Sequence, residues 1–159
     1  MSEFTNEKKQ PFLKKGKLVE EQFYKLLNNP NKSTSTEDQL EHWDLSFTTK
    51  IDVKGLKKLR RSDEDTNEHI HWIEILGITG EVGWCYGEAD FFAFELNKYW
   101  IVVEKNDLHN FIKENVIKDF VNDKPTLYKL YRREGRKDIL TLVTSYDLCH
   151  ISYAIIKKK

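Results

Sequence analysis

Cysteine, proline and glycine are all scarce in this chain: two, three and seven among 159 residues. The two cysteines, Cys85 and Cys149, lie far apart with no Cys-x-x-Cys spacing. That excludes a disulfide framework and leaves free thiols, as expected in a reducing compartment. So little proline and glycine beside 13% aromatic residues excludes a disordered or low-complexity chain. No apolar run approaches the roughly 18 residues of a membrane span, and MSEFTNEKKQ offers no apolar core for a signal peptide. Net charge is absent as well, with 26 Lys+Arg against 26 Asp+Glu. The expectation is a cytoplasmic globular protein without a membrane partner. The length suits one domain over residues 1–159, with 1–15 as a flexible lead-in.

What charge there is comes in blocks. KIDVKGLKKLRR, residues 50–61, holds six basic side chains and one acid, and SDEDTNE directly after it holds four acids and no base. A local basic patch beside acidic ground suits a nucleic-acid backbone, and it equally suits a solvated loop.

The pattern along the chain is mixed. Val19, Phe23, Leu26 and Leu27 recur at helical spacing from Lys17 until Asn28-Asn29-Pro30 stops them, and NNPNKSTSTEDQ reads as a polar loop. Trp43, Leu45 and Phe47 alternate with His42, Asp44 and Ser46 as a half-buried strand, and Ile51 and Val53 alternate with Asp52 and Lys54 as a second. IHWIEILGI gives a third strand, and GEVGWCYGE a close-approach loop. Asp90–Leu96 and Tyr99–Glu104 form a hairpin. A helix capped by Asn106 spans 107–120, a late hairpin turns at Glu134-Gly135, and a short helix falls within 146–156. The sum is an α/β or α+β layered domain.

The chemistry gathers at Asp44 and Asp52-Val53-Lys54. Residues two apart on a strand share a face, so Asp52 and Lys54 project together. If the two strands pair antiparallel, an odd connection, Phe47-Thr48-Thr49, sets Asp44 opposite Asp52 and His42 opposite Lys54. Two carboxylates that close need a cation between them, and hard oxygen donors favour magnesium or manganese over zinc. A lysine beside such a site can position or deprotonate water, which suits phosphodiester hydrolysis. On spacing alone, an exposed strand ion pair explains Asp52 and Lys54 as well.

The order KGKLVEEQF, HWDL, KIDVKG resembles the PD-(D/E)XK nuclease superfamily. There a helix bearing a glutamate precedes a strand ending in aspartate and a strand carrying (D/E)-x-K. The motif region covers residues 16–55, about a quarter of the chain. Trp43 stands where the family usually has proline. The Gly16-x-x-x-Glu20 spacing is similar to that of archaeal Holliday junction resolvases, which selects Glu20 over Glu21. The resemblance implies a restriction-endonuclease-like core, a mixed central sheet flanked by helices. It implies a Mg2+ site, with Mn2+ as substitute, held by Asp44, Asp52 and the Val53 carbonyl, with Glu20 at that site or a second one. Lys54 then assists the attacking water, and products carry a 5′-phosphate. The implied function is a metal-dependent nuclease acting on DNA rather than RNA, in a phage, repair or recombination setting, and the superfamily commonly dimerises. The alternative is a catalytically silent nucleic-acid-binding or protein-interaction module of the same fold.

Lys57, Lys58, Arg60 and Arg61 are expected to contact phosphates without reading sequence. Glu74 adjoins the site as an auxiliary acid if its strand neighbours that of Asp52, with a structural ion pair as the other reading. His69 and His71 share a strand face, but no third ligand for a transition metal is in view. Trp84 reads as a packing residue or a base-stacking one.

Overall fold

The computed structural model describes residues 6–25, 30–46 and 49–159. Among these, four helices and two mixed sheets form an α+β arrangement. Helix α1 (Asn6–Tyr24) leads into β1 (Asn31–Lys32), α2 (Ser35–Glu41), β2 (Leu45–Ser46) and β3 (Lys50–Lys54). Then come β4 (Ile70–Leu76), a 3-10 turn at Trp84–Tyr86, and the hairpin of β5 (Phe91–Glu95) and β6 (Tyr99–Glu104). The rest is α3 (Lys105–Asn115), β7 (Ile117–Val121), β8 (Lys129–Arg132), β9 (Ile139–Thr144), α4 (Ser145–His150) and β10 (Ala154–Lys157).

The first sheet runs β1-β2-β3-β5-β6-β10, and the second β4-β9-β8-β7. Within the first, β3 and β5 are parallel, while β2 and β3 form an antiparallel hairpin. Both faces of this sheet are covered, which explains the unbroken apolar run of β6. Trp100 and Val102 pack with Val53, Ala93 and, from α1, Val19 and Phe23. Ile101 and Val103 face the other way, onto Phe92 and Phe94, Ile73 and Val143 of the second sheet, Leu108 of α3 and Leu148 of α4. Among the described residues no helix is long and apolar enough to cross a membrane.

Several expectations need correction. Helix α1 starts at Asn6, not Lys17. Residues 6–15 hold good helix formers but no apolar stripe to announce them. The segment taken for a loop contains α2, begun by a capping box in which Thr34 and Glu37 bond each other's backbone N–H groups. That helix ends at His42 in the left-handed conformation (φ 57), so the strand shrinks to Leu45–Ser46 and His42 does not stand opposite Lys54. Helix α3 is capped at Glu104 rather than Asn106 and stops at Asn115, because the β-branched Val116 and Ile117 turn into β7, which pairs with β8. The final segment is α4 followed by an edge strand, β10, paired to β6.

The glycine loop behaves as its composition suggests. A Cβ on Gly83 would lie 2.3 Å from the Glu74 carbonyl oxygen and 2.5 Å from the Ile75 carbonyl carbon. Both obstacles are backbone, so Gly83→Ala must part the loop from β4. The expected cost is ~3 kcal/mol, read as a lower urea midpoint.

Candidate active site

The hairpin register is that of an odd connection. Leu45 pairs with Ile51 and Ser46 with Lys50, leaving residues 47–49 between the strands. Phe47 and Thr48 themselves lie outside the described residues. Asp44 sits on a bend just before β2, where its N–H donates to the Ile51 carbonyl at 2.9 Å. Its Oδ2 accepts the Val53 N–H at 2.6 Å. The Asp44 carboxyl is thereby tied to the strand that carries Asp52, and each carboxyl bears on the other's ionisation.

Both acids are buried, Asp44 at 8% exposure and Asp52 at 4%. Asp52 Oδ2 makes no hydrogen bond of acceptable geometry, although Lys54 Nζ stands 2.6 Å from it as an ion pair. Burial, and then the charge of Asp52, push the Asp44 carboxyl up to about 8, against the opposing Val53 N–H. Burial also raises Asp52, with the Lys54 ammonium working against it. One lysine is too little positive charge for two buried carboxylates, so near neutral pH the pair retains a proton.

Lys54 is held from a second side. Its Nζ lies 4.4 Å from the centroid of the Trp84 ring, which packs edge-on against Phe92 (5.1 Å) and Phe94 (6.1 Å). Trp84 is thus a packing residue that also seats the lysine, a role that only the fold reveals.

Glu20 is half-buried, its pKa raised first by burial and then by Asp38, with the charges of Asp52 and Lys54 also acting on it. Helix α1 covers the Val53 face of the sheet, opposite to the face of Asp52 and Lys54. Glu20 Oε1 lies 3.9 Å from where a Cβ of Gly16 would stand, turned back along its own helix. Accordingly, among the described residues no three His, Cys, Asp or Glu side chains gather closely enough to hold a metal ion. Glu74 approaches by a route the sequence did not show. Its strand does not neighbour β3 but belongs to the second sheet, yet Lys54 is the leading charge on its carboxyl, which burial raises.

The basic segment is partly folded on itself. Lys57 and Asn67 form an antiparallel bridge, Lys58 Nζ donates to the Asp63 carbonyl at 2.5 Å, and the Arg60 N–H bonds Asp63 Oδ2 at 2.8 Å. Lys57 is exposed by area, but neighbouring atoms crowd its ammonium enough to lower its pKa, helped by Lys54 and Lys15. It borders the carboxylate pair, whereas Arg60 and Arg61 are exposed farther along the loop. The histidines do not form a site. His71 is buried, shares a hydrogen bond of 2.9 Å between Nε2 and Ser145 Oγ, and is held down to about 4 by burial, while His69 precedes β4 and is exposed.

The chain matches no protein-family model and has no significant similarity to a curated protein or a solved structure.

Proposed function

We propose that the chain is a metal-dependent nuclease of the PD-(D/E)XK type, acting on DNA. One observation carries this reading. The β2–β3 hairpin brings two buried carboxylates together, and Asp52 Oδ2 has no hydrogen bond and only Lys54 to offset its charge. Such a donor set fits a hard divalent cation, Mg2+ or Mn2+. Asp44, Asp52 and the Val53 carbonyl would hold it, with Glu20 reaching it by a change of rotamer. When bound, the cation supplies charge neutralisation for a phosphate and a more acidic water. Asp44 and Asp52 then stay ionised, and Lys54 orients the attacking water and offsets charge on the phosphate. Water adds to phosphorus as the bond to the 3′ oxygen breaks, leaving a 5′-phosphate and a 3′-hydroxyl. A restriction-endonuclease-like core accords with the order helix α1, hairpin β2–β3, then the parallel neighbour β5.

The test is incubation of supercoiled plasmid and a four-way DNA junction with and without Mg2+ or Mn2+. Cleavage is expected only with metal, and ends that a ligase can rejoin would confirm the 5′-phosphate. Because Asp44 holds its proton to about 8, cation binding at pH 7 should release about one proton. Calorimetry in buffers of different ionisation enthalpy measures that number, and affinity should weaken as pH falls.

The lack of a third gathered ligand among the described residues favours a second reading, a non-cutting binding module. Salt-sensitive binding of DNA or RNA without cleavage of either would establish it.

A further inference from the structure

Strands β3 and β5 run parallel with Lys54 beside Phe94, so Gly55 and Glu95 emerge together at the same end of the sheet. A Cβ on Gly55 would lie 3.4 Å from Glu95 Oε2. Glu95 opens a groove of about 580 Å3, lined also by Gln22 and Lys25 of α1, by Asn97 and Trp100, and by Lys158 and Lys159. The groove is therefore next to the carboxylate pair yet separate from it.

Its chemistry is one-sided. The single acid, Glu95, is satisfied from within: Oε1 pairs with Lys158 Nζ at 2.6 Å, and Oε2 accepts the Leu56 N–H at 2.9 Å. Trp100 is fully buried, and its indole N–H has no acceptor. Lys158 Nζ lies over that same ring, 4.9 Å from its centroid. Ammonium groups, side-chain amides and an unanswered N–H thus line one groove, with no carboxylate left to answer them. Buried donors without acceptors are rare in folded proteins, and a ligand is one resolution of such a case. An anion with several oxygens matches this lining, and the volume is in the range of small-ligand pockets.

We propose that this groove binds a phosphate group of the nucleic-acid strand, displaced along the strand from the bond that is cut. The phosphate chemistry follows from the lining, whereas its source in a nucleic acid rests on the nuclease reading. Lys25 and Lys159 meet the phosphate from the exposed rim, Lys158 shifts between Glu95 and the ligand, and the Trp100 N–H donates to one oxygen.

The experiment follows the four indole N–H resonances of the 15N-labelled full chain in EDTA, where no cleavage occurs. The probes are a ten-nucleotide single-stranded DNA and inorganic pyrophosphate. Trp100→Phe assigns the peak; should that variant not fold, a through-bond assignment of the wild type replaces it. With the oligonucleotide, the Trp100 N–H is expected to move downfield and saturate. Lys25→Ala and Lys159→Ala, both exposed, should each weaken binding about tenfold and lower the salt slope by about 0.7 per lost phosphate contact. A shift with pyrophosphate but none with DNA overturns the strand as the source and leaves a small phosphate compound. No movement of the Trp100 peak with either probe overturns the site. The result is independent of cutting: a chain that binds here but never cleaves keeps the groove and loses the nuclease.

Discussion

Asp44→Asn is expected to abolish metal-dependent cleavage, by on the order of 10³-fold, while making the metal-free protein more stable at alkaline pH. Both effects have one cause. The Asp44 carboxyl is raised to about 8 in the fold because burial and Asp52 oppose its charge. In the unfolded chain it titrates near the ordinary value of about 3.9. The folded state thus binds the extra proton between these values, so wild-type stability is full below the unfolded pKa and is lost as pH rises through about 8. Asparagine cannot ionise, and its carbonyl can still accept the Val53 N–H. The variant should match the wild type near pH 4 and exceed it by about 1–2 kcal/mol at pH 9. Chemical denaturation across pH measures this. Saturating Mg2+ should narrow the difference by stabilising only the wild type.

Lys54→Met should lower cleavage by roughly 10²–10⁴-fold, with the opposite effect on stability. Methionine keeps most of the side-chain length against Trp84 but removes the ion pair 2.6 Å from Asp52 Oδ2. Breaking a buried pair from one side costs about 3–5 kcal/mol when the stranded charge must persist. Asp52 can instead take up a proton, so the loss should be small at pH 5 and grow with pH. The double variant Asp52→Asn/Lys54→Met then separates the two roles of the lysine. It should recover stability at high pH and remain inactive, as measured by unfolding midpoint and plasmid nicking.

The site was more legible in the sequence than the fold around it. Strand parity alone predicts that an odd connection brings Asp44 to Asp52, and the pairing of Leu45 with Ile51 has that register. Alternation likewise placed Val53 in the core, and the two-faced apolar pattern of Tyr99–Glu104 marked a central strand. Parity could not say that Asp52 would be buried as deeply as Val53, because the second sheet that covers it is assembled from β4 and from strands beyond residue 116. For the same reason Glu74 reached Lys54 from another sheet, and Trp84 became its seat. The capping box at Thr34 and Glu37 was in plain view, but a run of polar residues resembles a loop when no apolar stripe accompanies it. The early start of α1 was hidden in the same way. Glu20 shows the limit of motif reasoning: its spacing from Gly16 was visible, while the face of the sheet on which α1 packs was not.

The central claim is that the buried pair is a divalent-cation site. Soaking crystals in Mn2+ and computing an anomalous difference map tests it most directly. The account predicts a single strong peak between the Asp44 and Asp52 carboxylates, with Lys54 Nζ drawn away from Asp52 Oδ2. No peak at this pair under saturating Mn2+, with Lys54 still at its 2.6 Å ion-pair distance, would contradict it.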